Sequence, residues 1–231
     1  MRIAPYLFRY MTRRQFNDAQ VGQWGCRWLS PGERQVYARL TDPRRRSAFF
    51  LGRLLAKRLI LCHCRTARPA VPGLARPSEI EIDSGLSRQQ HTSPRVNFAG
   101  RVMPWSLSIA HTENSILVAL APAADMSVGV DLVEPAVPGR GFVELWFTDA
   151  ERRQLKNSEP GLALTFWAIK EAVYKAAGNG QPFAPRAIEV LPWLDGFVCQ
   201  PACHLTVWQT PQGQTAAIAY MHKTCRAGEK S

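Results

Sequence analysis

The order of helix and strand signals along the 231 residues predicts an α+β protein. Two observations carry this. Apolar residues recur at helical spacing over residues 43–60 and again over 161–177, and between and beyond those stretches lie short β-prone runs closed by Gly, Pro and Asn turns. A composition of 46% hydrophobic and 20% charged residues belongs to a chain that buries a real core and excludes disordered and fibrous classes.

Taken in order, Ile3, Tyr6, Leu7, Phe8 and Tyr10 predict an N-terminal strand. Ser30-Pro31-Gly32-Glu33 opens a helix with a serine cap, proline at the first position and a carboxylate three residues on. Asp42-Pro43 opens a longer helix through Ile60, apolar on a broad face and basic elsewhere. On it Arg46 and Arg53 lie two turns apart and project from one side, as two guanidiniums facing one anion would, although a solvated basic face needs no more. Residues 65–94 read as loop, marked by Pro69, Pro72, Gly73, Pro77 and Pro94, with one strand at Ile80-Glu81-Ile82. No internal repeat is evident in the sequence.

Residues 105–111 then form a strand that runs out at His111, with a return strand over 115–120. Val128-Gly129-Val130-Asp131-Leu132-Val133 is a buried-strand pattern broken by one carboxylate, which is costly unless Asp131 is paired or binds a cation. Gly129 in that strand permits a close backbone approach. Thr148 caps a helix after Phe147, and the tail from 182 to 222 reads as strands over 187–191, 196–199, 205–208 and 216–222.

The chemistry concentrates in 166–178. Leu162, Phe166, Ile169, Val173 and Ala177 form an inward stripe, and Gly178 ends the helix. Trp167, Glu171 and Lys175 share another face, with Lys170 and Tyr174 on its flank, so that a carboxylate lies between an aromatic ring and an ammonium. An exposed ion pair is the plain reading of this stretch taken alone.

A net charge of +11 and a pI near 9.9 call for an anionic partner, whether nucleic acid, acidic protein, membrane surface or phosphorylated small molecule. The six cysteines are too few and too irregular for a disulfide framework, so reduced thiols are expected. Cys62-His63-Cys64 and Cys199-Gln200-Pro201-Ala202-Cys203-His204 lack a paired zinc spacing. No window has the apolar length of a membrane span and the start lacks a secretory core, so a cytoplasmic location is expected.

Gly100-Arg101, Ser108-Ile109-Ala110-His111-Thr112, Gly129-Val130-Asp131, Phe147-Thr148-Asp149-Ala150-Glu151 and Trp167-Ala168-Ile169-Lys170-Glu171-Ala172-Val173-Tyr174-Lys175, in that order, resemble the 4'-phosphopantetheinyl transferases of the surfactin-synthetase type. The resemblance spans residues 30–220. It implies two similar α/β halves related by a pseudo-twofold, each a small antiparallel sheet packed with helices, with a ligand cleft between them. The halves would be 1–127, gripping coenzyme A phosphates, and 128–231, carrying metal-binding carboxylates. The implied reaction moves the phosphopantetheine arm of coenzyme A to a serine of an apo carrier protein and releases adenosine 3',5'-bisphosphate.

By the same resemblance Asp131 and Glu171 hold magnesium, or manganese in its place, and Glu171 is also the base or water-positioner. Lys175 meets the transferred phosphate, and His111, Arg101, Arg34, Arg46 and Arg53 hold the coenzyme phosphates. These residue types suit displacement at a pyrophosphate, where spreading negative charge must be neutralised. The implied partners are coenzyme A and an acidic acyl or peptidyl carrier from fatty acid, polyketide or nonribosomal peptide synthesis, with no membrane or nucleic acid and a monomeric state expected.

Two positions depart from the pattern. Val133 stands where many members carry a second acid, and Glu134, one residue on, points to the other strand face unless a bulge intervenes. Ala110 replaces the serine common before the histidine, which removes a hydrogen bond to the coenzyme. These departures leave open a member that binds coenzyme A or carrier without transfer. The charge, with Trp24, Trp28 and Trp105, leaves open a nucleic-acid-binding protein, though no helix-turn-helix, zinc-finger or aromatic RNA-binding signature appears.

Overall fold

The computed structural model describes residues 6–12, 23–25, 27–66, 76–84, 93–98, 100–159, 161–178 and 180–223. Ile3 of the first strand, Pro69, Pro72 and Gly73 of the loop region, and Cys26 and Cys225 lie outside the described residues. In chain order the elements are β1 (Leu7–Thr12), α1 (Pro31–Arg39), α2 (Pro43–Thr66), a 3-10 turn at Pro77–Glu79, β2 (Ile80–Asp83), β3 (Arg95–Phe98), β4 (Arg101–Val102), β5 (Ser106–His111) and β6 (Ser115–Ala121). There follow β7 (Met126–Val133), α3 (Arg140–Trp146), α4 (Asp149–Leu155), α5 (Gly161–Ala177), a 3-10 turn at Pro185–Ala187, β8 (Glu189–Trp193), β9 (Gly196–Gln200), β10 (His204–Gln209) and β11 (Thr215–His222).

The strand pairings follow one pattern twice. One antiparallel sheet has the order β1-β6-β5 and another β7-β11-β10, and each half also carries a hairpin preceded by a 3-10 turn, β2–β3 and β8–β9. The element order strand, capped helix, long helix, hairpin, strand pair therefore occurs twice. The two sheets pack face to face, with Leu117, Ala119, Val128, Val130, Leu132 and Ile218 buried between them. On the outer faces α2 covers the first sheet through Leu51, Leu55 and Leu59, and α5 covers the second through Ile169, Ala172 and Val173.

Strand parity in β7 follows from this sandwich. Val128, Val130 and Leu132 point to the other sheet, while Gly129, Asp131 and Val133 face α5. A Cβ on Gly129 would lie 2.0 Å from the Ala172 carbonyl oxygen and 2.4 Å from the Ala176 nitrogen, so only glycine lets α5 lie this close to the strand. Gly178, at φ 52°, then ends α5 in the left-handed region.

Each half is locked by the same buried device. Ser30 caps α1, and Glu33 returns a bond to the Ser30 N–H (2.8 Å). Glu33 also accepts from Ile82 N–H (3.0 Å) and pairs with Lys57 of α2, whose ammonium is fully buried and donates to Trp28 O (2.7 Å). In the second half Thr148 caps α4, and Glu151 accepts from Thr148 N–H and Val190 N–H (both 2.7 Å) and pairs with Lys170 of α5 at 2.8 Å. Lys170 donates as well to Pro185 O (2.8 Å) and Ile188 O. A buried charge persists only with such full pairing.

Lys170 is therefore not on the flank of the Glu171 face, as the helical spacing suggests, but fully buried beneath it. Ala177 is exposed and Ala176 takes the inward position. The helix read as ending at Ile60 continues to Thr66, while α3, β3 and β4 are short elements that the sequence does not announce. Among the described residues no helix is long and apolar enough to cross a membrane.

Candidate active site

Asp131 and Glu171 meet around one ammonium. Lys175 Nζ lies 2.7 Å from Asp131 Oδ1 and 3.7 Å from Glu171 Oε2, and donates to Val130 O at 3.2 Å. The three side chains are 13–30% exposed, so the cluster is reached from solvent yet mostly shielded. Burial pushes the Asp131 carboxyl above the ordinary carboxylate range, and Lys175 beside it works in the opposite direction. Two oxygen donors and a cation at one end of α5 suit a phosphate group with a hard divalent ion. Such ions bind through one or two carboxylates together with substrate phosphates. Among the described residues no set of three or more His, Cys, Asp or Glu side chains converges as a metal site.

Val133 ends β7 on the Asp131 face, opposite Thr215 in an unbroken register. Glu134 turns away. Its Oε1 accepts from Gln214 Nε2 at 2.7 Å and from Asn114 Nδ2 at 3.4 Å. It lines a polar cavity of about 430 Å3 between the halves, with Thr12, Asn114, Pro211 and Gln212. Ala110 is 5% exposed and packs between the sheets.

Trp167 shares the Glu171 face but lies among Phe142, Trp146 and Phe183 at centroid distances of 5.0, 6.1 and 5.5 Å, which folds α3 against α5. Its task here is to seat that short helix beside the carboxylates.

The predicted phosphate-binding residues divide. His111 closes β5 in an exposed position. β5 lies along β7, with Ser106 and Ser108 hydroxyls accepting from Val128 and Val130 N–H at 3.1 and 3.0 Å, so His111 ends its strand near where Val133 ends β7. The first turn of α2 reaches the same turn, Arg44 pairing with Glu113 at 3.1 Å. Arg34, Arg46 and Arg101 are exposed, and Arg46 lies over the Tyr37 ring at 4.7 Å.

Arg53 is drawn inward instead. It is 9% exposed, lies 4.1 Å from the Phe49 ring centroid and donates to Ser84 Oγ at 2.5 Å and Ile82 O at 3.4 Å. Burial lowers its pKa from the usual arginine value. Two turns of spacing put Arg53 on the side of Arg46, but the guanidinium reaches an external phosphate only by giving up its bonds to β2.

The architecture and the cluster together define an α+β protein with paired sheets and a shielded carboxylate–lysine site at one helix end. Residues 127–219 match the 4'-phosphopantetheinyl transferase superfamily. Solved structures similar to the chain include the holo-[acyl-carrier-protein] synthase of Thermotoga maritima, at 20% identity and TM-score 0.38, covering 42% of this chain and 64% of that one. The match thus spans just under two thirds of the Thermotoga chain. Another is a holo-(acyl-carrier-protein) synthase from Bacillus anthracis in complex with CoA (3',5'-ADP), at 16% identity and TM-score 0.39, covering 50% of this chain and 91% of that one. No curated protein sequence matches the chain.

Proposed function

We propose that the protein transfers the 4'-phosphopantetheine arm of coenzyme A to a serine of an apo acyl or peptidyl carrier protein, in the manner of the surfactin-synthetase type. The observation that carries this reading is the shielded Asp131–Lys175–Glu171 cluster within the superfamily's matched region. Residues 1–127 would supply the grip on the coenzyme phosphates through Arg34, Arg46, Arg101 and His111, and residues 128–231 the carboxylates. Arg53 would contribute only after leaving β2.

Asp131 and Glu171 fit a magnesium or manganese ion by donor type. When bound it would act as a Lewis acid, neutralising charge on the phosphate oxygens. Glu171 would accept the serine proton, directly or through a water, as the serine oxygen attacks the phosphorus that bears the pantetheine arm. The bond from that phosphorus to the bridging oxygen breaks, and adenosine 3',5'-bisphosphate leaves with the electron pair. Lys175 holds positive charge against the transferred phosphate, where charge spreads as the bond breaks. The net charge of +11 favours encounter with an acidic carrier.

The test incubates the protein with coenzyme A, magnesium and apo carriers from fatty acid, polyketide and nonribosomal peptide synthesis, and reads carrier mass. One added phosphopantetheine arm on at least one carrier, lost with a chelator, is the expected result. No mass gain on any carrier would overturn the reading in favour of a protein that binds without transferring.

A further inference from the structure

The repeat of the fold gives the Asp131 site a counterpart in the first half, and there guanidiniums stand where the second half carries carboxylates. Arg58 and Cys62 lie one and five residues after the buried Lys57, as Glu171 and Lys175 lie one and five after the buried Lys170. Trp28 stands two residues before the cap Ser30, as Trp146 stands two before the cap Thr148. Arg9 lies on β1, the counterpart of β7, between Leu7 and Met11 and on the α2 side of its sheet. Arg9, Trp28, Arg58, Cys62 and Arg65 line one open cavity of about 480 Å3.

Among the described residues no carboxylate lines this cavity, and none pairs with Arg9, Arg58 or Arg65. The wall is held in place. The Arg58 guanidinium lies 5.5 Å from the Trp28 ring centroid, and the Trp28 carbonyl is anchored by the buried Lys57 ammonium at 2.7 Å. Three guanidiniums around one space repel one another until an anion enters, and each offers a fork of donors matched to phosphate oxygens. The volume falls within the roughly 300–1,000 Å3 of ordinary small-molecule sites and exceeds the needs of a bare anion.

We propose that this cavity is a binding site for a small pyrophosphate-bearing anion, separate from the carboxylate cluster. Arg46, assigned above to the coenzyme grip, is twelve residues from Arg58 on the same helix, about 18 Å along its axis. The site thus stands whether or not the protein transfers phosphopantetheine.

Cys62 provides a local reporter, and Cys64 on the same helix an internal reference, since both are partly exposed free thiols. Alkylation of the full chain by iodoacetamide at matched ionic strength, mapped by peptide mass, is followed with inorganic pyrophosphate, with adenosine 5'-diphosphate, or with chloride alone. Both phosphate anions should slow Cys62 several-fold and leave Cys64 unchanged. Stronger protection by the nucleotide would assign a nucleotide as the source of the pyrophosphate group, and equal protection the pyrophosphate alone. The exposed pair Arg58→Gln with Arg65→Gln should abolish protection, whereas Arg46→Gln should retain it. Equal Cys62 rates in all three solutions, or protection that survives the double substitution, would overturn the proposal.

Discussion

Where α2 meets β1 the first half presents Arg9, Arg58 and Cys62, whereas where α5 meets β7 the second presents Asp131, Glu171 and Lys175. Beneath both faces lies the same support: a capping carboxylate, a fully buried lysine and a strand N–H. The contrast separates the side chains that build the scaffold from those that face outward. The scaffold depends on buried polar groups that cannot be left unpaired, and so both halves retain it. The outward positions carry no such constraint, and one half displays carboxylates where the other displays guanidiniums.

If the two buried devices are equivalent, breaking either should cost alike. Glu33→Gln and Glu151→Gln each leave a buried ammonium without its carboxylate, and each should lower stability by about 3–5 kcal/mol in denaturant unfolding. A loss in only one half would show that the likeness is one of topology without shared energetics.

A smaller effect separates the two helix seats. Gly129→Ala drives a methyl into the backbone of α5 and should cost about 3 kcal/mol. Gly52→Ala in α2, whose Cβ would sit 3.3 Å from the Ile109 side chain, should be tolerated far better. Melting both variants against wild type reads the difference, and equal losses would contradict the close approach at β7.

Smaller still is a pH effect at Lys57. Burial lowers its pKa from the ordinary 10.5, with Glu33 opposing. The unfolded chain then binds the proton more readily than the folded one, so this lysine's contribution to stability rises with pH between the lowered value and 10.5. Stability measured across that alkaline window should show a shallower rise in Lys57→Met than in wild type.

Much of the second half was legible from local pattern. A lone carboxylate in the apolar run of β7 called for a charge partner or a cation, and the glycine two residues before it permitted a close backbone approach; Lys175 pairs with the one and α5 makes the other. The parity that turns Glu134 away from Asp131 was also readable, because β7 carries no bulge. The buried lysines were not. A basic residue in a helical pattern reads as solvated, and only the capping glutamates of a preceding helix make Lys57 and Lys170 fit a core. Both capping boxes were visible in the sequence, and their recurrence before the two long helices was the available signal of the repeat. Arg53 misled for a similar reason: spacing predicts a shared side with Arg46, but not that Ser84 and the β2 backbone draw the guanidinium inward.

In the proposed reaction the carboxylate face, and not its basic counterpart, performs the transfer. Carrier mass measured over time with coenzyme A and magnesium, for wild type, Glu171→Gln and Arg58→Gln, tests it directly. Glu171→Gln keeps shape and removes charge, so it should fold normally and lose on the order of a hundredfold or more in turnover, while Arg58→Gln should stay close to wild type. A folded Glu171→Gln that modifies the carrier at the wild-type rate would contradict the account.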